Sequence, residues 1–246
     1  MARVDLIIPV YNEERQLEAS VHTLLAWCAG HPEHEWRIVI ADNASTDRTL
    51  EIARRLEAET GGAVRALHIP VKGRGIALRT AWLTSDADVR AYMDVDLATD
   101  IEAIPALVDP IAAGDIDVAF GTRLDPRSER TRGLKREVIS RTYVFLLRRL
   151  MGLDVSDAQC GFKAISRDAA LELVPLVRDN AWFFDSELLW VAQRNGYRLR
   201  EVPVRWTDDP DTRVRIVHTA IEDLRGIVRL RRHAVPRALR AGGREA

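Results

Sequence analysis

Residues 4–14 read VDLIIPVYNEE, and this stretch decides the fold class of the 246-residue chain. Val4–Val10 is a short apolar run rich in Ile and Val that ends in turn residues, which is typical of a buried parallel strand. A dinucleotide-binding fold would place glycines after this strand, but Glu13 and Glu14 follow and would repel a pyrophosphate. Neither G-x-G-x-x-G nor G-x-x-x-x-G-K-[ST] occurs in the chain, which argues against oxidoreductases of that fold and against P-loop NTPases.

Strand-like and helix-like segments alternate through the first half of the chain. Further strands are predicted at Trp36–Ala41, Val64–Ile69, Val89–Met93 and Asp117–Phe120. Helices are predicted between them, over Glu14–Ala29, over Thr49–Thr60 and from residues 72–75 to about Thr84. This alternation predicts an α/β fold with a mostly parallel central sheet flanked by helices, and a site at the carboxyl ends of the strands.

The second half departs from this pattern after Gly121. An Arg-rich loop leads to a helix over about Lys135–Met151, whose apolar face is interpreted either as core packing or as contact with a membrane or lipid tail. The residues of that face are Val138, Ile139, Thr142, Phe145, Leu146 and Leu150. Further elements are a strand at Gly161–Ile165, helices at Asp168–Val174 and Ser186–Asn195, and a strand at Leu199–Val204. We expect one domain over residues 1–212, with a basic helix and tail over 213–246 packed on it or extending from it.

Charge is unevenly distributed, although the formal net charge is only −1. Residues 122–149 and residues 213–246 each carry nine Lys/Arg and three Asp/Glu, so two basic segments lie on an acidic body. The 47% apolar content excludes a disordered chain. Cys28 and Cys160 are far apart, which argues against a zinc site. Without a signal peptide or a spanning apolar run, we expect a cytoplasmic protein with no nucleic-acid partner.

Carboxylates follow two of the predicted strands. Asp42 ends the second strand, where it can accept a hydrogen bond from the N–H groups of a uracil or a guanine. Asp94 and Asp96 follow the fourth strand, and in an extended segment residues i and i+2 point to the same side. Such a pair repels unless a cation lies between the carboxylates, which favours Mg²⁺ or Mn²⁺ completed by waters and substrate phosphates. His68 and His218 have no partner at metal-ligand spacing, and structural or surface roles are favoured for them.

The combination IIPVYNEE (7–14), DNASTD (42–47) and the Asp94/Asp96 pair resembles the family 2 glycosyltransferases of the GT-A fold. FGTR (120–123), DAQCGFK (157–163) and WFFDSELL (182–189) resemble the branch that makes polyprenyl-phosphate sugars, dolichyl-phosphate glucosyltransferases first and mannosyltransferases next. The resemblance implies roles for individual positions. The nucleotide pocket would hold Pro9, Tyr11, Glu13, Asp42, Arg74 and Arg213, Asp94 and Asp96 would bind the metal and the donor, and the acceptor phosphate would contact Arg123, Arg136 and Ser140. Mannosyltransferase relatives often have a Gln metal ligand where this chain has Ala98.

The resemblance also implies an inverting reaction, in which an acceptor oxygen attacks the anomeric carbon as the nucleoside diphosphate leaves. A phosphate monoester is largely a dianion at pH 7 and needs no strong base. A sugar hydroxyl would need one, for which Asp157, Asp185 and Glu187 are the candidates.

Three hypotheses follow from these observations. The leading one is metal-dependent transfer of a hexose, glucose from UDP-glucose foremost, to a polyprenyl or dolichyl phosphate by a peripheral protein at the cytoplasmic (inner) membrane face. The alternative is a glycosyltransferase of the same fold with GDP-mannose as donor or with a soluble acceptor. The third is a non-catalytic membrane-surface protein that uses an amphipathic C-terminal helix with Leu224, Ile227, Val228 and Leu230. The sequence leaves the oligomeric state open.

Overall fold

Strands and helices alternate through the part of the chain that the computed structural model describes, which comprises residues 1–128, 130–131, 134–207 and 216–232. In the first half the elements are β1 (Arg3–Val10), α1 (Leu17–Ala29), β2 (Glu35–Asn43), α2 (Thr49–Glu59), β3 (Val64–Ile69), α3 (Arg74–Thr84), β4 (Val89–Met93), α4 (Ile104–Ala112) and β5 (Val118–Thr122). In the second half they are β6 (Arg130–Thr131), α5 (Leu134–Met151), β7 (Phe162–Ser166), α6 (Arg167–Leu173), α7 (Phe184–Arg194), β8 (Leu199–Pro203), β9 (Trp206–Thr207) and α8 (Ile216–Arg232).

Seven of the strands form one sheet in the order β3-β2-β1-β4-β7-β5-β8. β7 runs antiparallel to both of its neighbours, and the other neighbouring strands are parallel. This confirms the mostly parallel α/β sheet predicted from the sequence. The chain builds outward from β1 in both directions, so the carboxyl ends of β1 and β4 flank the point where the strand order reverses, which is where open α/β sheets bind ligands.

The two faces of the sheet each carry a hydrophobic core. Successive strand residues point to opposite faces, so Ile7 belongs to one core and Ile8 to the other. Helices α1, α2 and α4 cover the face of Ile8, and helices α3, α5, α6, α7 and α8 cover the face of Ile7. With both faces covered, the polar strand ends are the part of the sheet left to contact a ligand.

The structure corrects the predicted start of one helix and adds a helix that was not predicted. Helix α1 begins at Leu17 rather than at Glu14, because Glu13 starts a turn in which its carbonyl accepts the Gln16 N–H at 3.2 Å. Helix α4 was not predicted, although it buries Leu107, Val108 and Ile111 at helical spacing. Its short length and its two prolines obscure the pattern.

Helix α5 packs through a different stripe than the predicted one. Among the α5 side chains that the structure describes, residues 139–151, Val144, Leu147 and Met151 are buried, whereas Phe145, assigned to the core by the packing interpretation, is 63% exposed. Helix α8 buries Ile227 and Leu230 but leaves Leu224 and Val228 exposed. The helix therefore has a core face and an exposed apolar face, where the sequence suggested a single amphipathic surface.

No helix in these described ranges is long and apolar enough to cross a lipid bilayer. The predicted boundary at residues 212 and 213 falls within residues 208–215, outside the described residues, and stays a prediction.

Candidate active site

The loops that follow β1 and β2 hold each other in place. Asn12 adopts a left-handed backbone conformation, with φ of 57°, that turns the chain away from the sheet. Its backbone N–H donates to Ser45 Oγ at 3.0 Å, and its side-chain Oδ1 accepts the Thr46 N–H at 2.8 Å. The Glu13 N–H donates to Thr49 Oγ1 at 2.8 Å. The strand end that carries Pro9 and Tyr11 is therefore fixed before any ligand binds.

Asp42 lies at the end of β2 and is completely buried. Its Oδ1 accepts the Ser45 N–H at 3.3 Å, and its Oδ2 lies 2.7 Å from Nδ1 of His68. Asp42 and His68 are register neighbours on β2 and β3, which places the two side chains side by side. Sequence reasoning missed this pair because His68 has no partner nearby in the chain, and strand register was the signal that could have found it.

Two cations lie at the start of α3. Lys72 Nζ lies 3.7 Å from the centroid of the Tyr11 ring. Arg74 donates to Asp94 Oδ1 at 2.6 Å and lies against the rings of Tyr92 and Trp182. Burial opposes the charge of Arg74, but Asp94 together with Tyr92 and Asp185 outweighs it, so the pKa of Arg74 is raised.

Gly73 and Gly75 allow the start of α3 to approach the second half of the chain. A Cβ on Gly73 would clash with the carbonyl oxygen of Asn180, and one on Gly75 would meet the Asn180 backbone and Phe184. The Gly73 N–H also donates to Asn43 Oδ1 at 2.9 Å. These glycines therefore admit the close packing that brings Arg74 to Asp94.

Asp94 and Asp96 lie in a turn rather than in the extended segment expected from the sequence. The Leu97 N–H donates to the Asp94 carbonyl at 3.2 Å, and Leu97 has a φ of 50°. The Asp94 side chain is 41% exposed, and Asp96 Oδ1 accepts the Ala98 N–H at 3.0 Å. Strand alternation therefore does not explain how these two carboxylates are placed, and a tight turn at the sheet edge positions them instead.

Asp94 fits closely against the loop before β7. Gly161 faces it, and a Cβ at that position would overlap the Asp94 carboxylate. Within the described ranges no three His, Cys, Asp or Glu side chains converge on one point. A divalent ion here would take these two carboxylates and complete its shell with water and phosphate oxygens, which is how Mg²⁺ is usually bound. The residues present therefore fit such an ion.

Arg123 and Asp157 form a buried ion pair at the end of β5. Arg123 Nε and one terminal nitrogen donate to the two carboxylate oxygens of Asp157 at 2.7 and 3.1 Å. The N–H groups of Arg123 and Gln159 donate to the same carboxylate. Burial would raise the pKa of Asp157, but the Arg123 charge and these hydrogen bonds lower it. The guanidinium also lies 5.5 Å from the centroid of the Trp206 ring.

Asp185 also lies beside a buried cation. Lys163 Nζ lies 3.3 Å from Asp185 Oδ1 and donates to the Cys160 carbonyl at 2.6 Å. The Tyr92 hydroxyl donates to the same carboxylate oxygen of Asp185. Burial and the Asp185 charge together raise the pKa of Tyr92 well above its usual range, so its proton stays in place.

Glu187 is held by α8 and by the loop before α7. Arg229 donates to Glu187 Oε2 at 2.6 Å, and the N–H groups of Arg178 and Asp179 donate at 3.1 and 2.9 Å. The side chain of Glu187 is 1% exposed. All three carboxylates proposed as general bases are therefore buried beside a cation.

The remaining predicted acceptor and nucleotide residues are only partly covered by the structure. Ser140 lies on α5 and is half-buried. The backbone of Arg136 belongs to the same helix, four residues earlier, but its side chain lies outside the described atoms. Arg213 lies outside the described residues. The structure thus brings together the nucleotide and metal candidates of the first half, while the acceptor group stays a prediction.

The model of the family described as "Glycosyl transferase family 2" matches residues 5–174, which run from within β1 to the end of α6. The chain belongs to glycosyl transferase family 2. This confirms the family, the GT-A fold and the glycosyltransferase activity expected from the motifs.

Curated members of the family resemble the chain over most of its length. "Glycosyltransferase AglD" of Haloferax volcanii is 39% identical over 216 residues, which cover 87% of this chain and 34% of that protein. "Dolichyl-phosphate beta-glucosyltransferase" of Drosophila melanogaster is 29% identical over 218 residues, which cover 83% of this chain and 67% of that protein. The chain thus spans about a third of the archaeal relative and about two thirds of the fly relative.

A solved glycosyltransferase shares the fold. Glucosyl-3-phosphoglycerate synthase from Mycobacterium tuberculosis, crystallised with Mn²⁺, UDP and phosphoglyceric acid, superposes with a TM-score of 0.65 and 20% identity. The match covers 96% of this chain and 80% of that one. At this identity the likeness supports the fold alone.

Proposed function

We propose that the chain transfers a hexose, glucose from UDP-glucose foremost, to the phosphate of a polyprenyl lipid of the dolichyl type. The names of its relatives support this acceptor and sugar. The observation that supports a phosphate acceptor is that the three buried carboxylates each lie beside a cation. This pairing bears on whether the site can activate a hydroxyl group.

A hydroxyl acceptor needs a carboxylate that can take its proton. Asp157, Asp185 and Glu187 instead accept hydrogen bonds or lie within ion-pair distance of Arg123, Lys163 and Arg229. A buried carboxylate that is already engaged with a cation would have to give up that contact to take a proton from the acceptor. A phosphate acceptor already carries its nucleophilic oxygen as an anion at pH 7 and needs no such base. The arrangement therefore favours a phosphate acceptor over a sugar hydroxyl.

Arg123 is the described cation best placed to position that phosphate. Asp157 and the Trp206 ring hold its guanidinium group in place, so the side chain loses little conformational entropy when a second anion binds. We propose that Arg136 and Ser140 complete this acceptor site and that Arg213 contacts the donor diphosphate. These assignments rest on the family resemblance.

On the donor side, Asp94 and Asp96 would hold Mg²⁺ or Mn²⁺. When bound, the ion would stabilise the negative charge of the leaving diphosphate. Arg74 neutralises Asp94 in the structure and offers a second cation to the same phosphates. Tyr11 follows β1, and Asp42 lies on the neighbouring strand β2; both would form the nucleoside end of the pocket.

A lipid acceptor implies work at a membrane surface, and we place the protein as a peripheral enzyme at the cytoplasmic face. The exposed stripe of α8, formed by Ile221, Leu224 and Val228, supports this placement because each residue is 46–47% exposed. Arg225 and Arg232 are exposed on the same helix and would meet anionic headgroups.

The test is transfer from radiolabelled UDP-glucose in the presence of Mg²⁺ or Mn²⁺, with polyprenyl phosphate and the unphosphorylated polyprenol as parallel acceptors. We expect labelled lipid with the phosphate alone, and loss of the product on chelation of the metal. Label transfer to the alcohol, or no labelled lipid from any common nucleotide sugar beside a working control enzyme, would contradict the proposal.

A matched pair of variants tests the acceptor clamp. Arg123→Lys keeps the charge but loses the fork, so the KM for polyprenyl phosphate should rise about tenfold with the donor KM unchanged. Arg127→Lys is the control, because Arg127 lies in the same loop, is largely exposed and pairs with Asp125. Equal effects of the two substitutions would remove Arg123 from the acceptor site.

A further inference from the structure

The buried state of Asp42 changes how the nucleobase can be recognised. The side chain of Asp42 has no exposed surface, and its two oxygens receive the Ser45 N–H and the His68 ring. The His68 side chain is 39% exposed and lies beside Asp42 on the outer neighbouring strand, β3. His68 therefore stands where a base can reach it, whereas the carboxylate is covered.

The pairing also decides which hydrogen-bonding group His68 offers. A carboxylate can only accept, so the proton between the two side chains belongs to Nδ1 of the imidazole. In the neutral ring the other nitrogen, Nε2, then carries a lone pair and acts as an acceptor. No described residue donates a hydrogen bond to Nε2. By holding the Nδ1 side of the ring, Asp42 leaves Nε2 of His68 as the one acceptor that faces outward.

We infer that Nε2 of His68 accepts the ring N–H of a pyrimidine base of the uracil type, and that Asp42 is the positioning residue that sets the histidine tautomer. Uracil and thymine offer one such donor, N3–H, between two carbonyl groups. Guanine offers two adjacent donors, N1–H and the N2 amino group, which match the two oxygens of a carboxylate rather than one nitrogen. The inference deepens the proposed function, on which it rests, by naming the residue that recognises the base of the donor and the residue that orients it.

The location of the pair agrees with this role. Val10, Asp42 and His68 are consecutive register partners across β1, β2 and β3. Asp94 follows β4 on the other side of β1. Neighbouring strands lie about 4.8 Å apart, so His68 and the metal carboxylates are separated by roughly 14 Å along the sheet edge. A nucleoside diphosphate with its base at His68 and its phosphates at Asp94 would lie across the strand ends.

Calorimetric titration of the whole chain with UDP, dTDP and GDP in the presence of Mn²⁺ tests the inference. We expect UDP or dTDP to bind at least tenfold more tightly than GDP. His68→Ala should lower the affinity for the pyrimidine nucleotide about tenfold and leave that for GDP unchanged. His68→Gln, which keeps one donor and one acceptor, should recover most of the loss, and His22→Ala on the exposed face of α1 should have no effect.

Nitrogen NMR of the His68 ring distinguishes base recognition from a purely structural role, because a structural role would leave the ring nitrogen shifts unchanged when UDP binds. In the neutral ring we expect Nδ1 to carry the proton and Nε2 to lack it, and we expect the Nε2 resonance to shift when UDP binds. Wild-type affinity for UDP in His68→Ala, or an Nε2-protonated ring, would overturn the inference. Because these measurements involve neither sugar nor lipid, absence of glucose transfer with intact UDP recognition would overturn the proposed function alone.

Discussion

The site carboxylate Asp94 in the first half of the chain, residues 1–122, differs in setting from Asp157, Asp185 and Glu187 in the second half, residues 123–232. The side chain of Asp94 is 41% exposed and pairs with Arg74. The side chains of Asp157, Asp185 and Glu187 are 1–6% exposed, and each lies beside a cation. An exposed carboxylate can exchange its partner for a ligand at little cost, while a buried one cannot lose its cation without a large penalty. We therefore expect the exposed carboxylates of the site to bind ligands and the buried ones to hold other residues in place.

Asp42 shows that the rule follows burial and not position in the chain. It lies in the first half, at a strand end, yet it is completely buried and holds His68. By the same criterion it belongs with Asp157, which holds Arg123. In both cases the buried acid orients a nitrogen-bearing side chain that we propose contacts a substrate.

The largest effect is expected from the exposed metal pair. Asp96→Ala should reduce turnover more than about 100-fold, because even residues behind a metal ligand contribute about 10–100-fold. The melting temperature should change little, because Asp96 is exposed. Asp115→Asn is the control, because Asp115 belongs to another D-x-D segment and is exposed away from the strand ends. If Asp96→Ala turned over substrate with Mg²⁺ at the wild-type rate, Asp94 and Asp96 could not be the pair that binds the metal.

Gly161→Ala tests the same site without removing a charge. The added Cβ would push the Asp94 carboxylate from its position, so we expect turnover to fall roughly 10–100-fold. The fold should survive, because the obstructing atoms belong to the end of a partly exposed side chain. Gly30→Ala, whose Cβ would make only an ordinary contact with Trp27, should keep full activity. Steady-state rates together with circular dichroism distinguish the two variants, and equal rates would show that the Asp94 position is not critical.

Arg229→Ala tests whether a buried carboxylate depends on its cation. Glu187 would keep two backbone donors but lose Arg229, so unfolding free energy should fall by about 1–3 kcal/mol. Arg225→Ala, on the exposed side of the same helix, should change it by less than about 0.5 kcal/mol. Urea unfolding measures both values, and similar losses in the two variants would break the comparison between buried and exposed groups.

Asp223 is a buried carboxylate of the second half that no described cation neutralises. Gln159 donates to its Oδ2 at 2.8 Å, while no described donor reaches its Oδ1. Burial raises its pKa to about 7, above the value of 3.8 for an unperturbed aspartate. Since the folded state holds the proton more tightly, the stability cost of Asp223 grows between about pH 4 and pH 7 and stays constant above that.

Asp223→Asn removes this cost and gives the smallest effect. We expect a gain on the order of 1 kcal/mol in unfolding free energy at pH 8 and no gain at pH 4. Thermal unfolding across this pH range measures it, with Asp115→Asn as the control. An equal gain at both pH values would show that the carboxylate is not protonated on folding.

Local sequence predicted the groups that follow strands. Tyr11, Asp42 and Asp94 were placed at the carboxyl edge from the alternation of apolar runs and turns, and the structure puts them there. The partners that define their roles were not predictable in this way. His68 lies 26 residues from Asp42, Arg229 lies 42 from Glu187, and each pair forms only when strands or helices pack.

The helices of the second half show the same limit. The spacing of apolar residues predicted the existence of α5 and α8 but not the stripe that each buries. When a helix has apolar residues on most sides, its sequence pattern does not determine which side faces the core. The neighbours of α5 decide that Leu147 is buried and Phe145 is exposed.

The sequence by itself determined the family, the layered α/β fold and the identity of the chemical groups, because strand periodicity and turn residues act over a few neighbouring positions. Only the tertiary structure decided which carboxylates are available to a ligand. Burial and ion pairing depend on what the packed chain places beside a group, and for Asp42, Asp157 and Glu187 those neighbours come from distant segments.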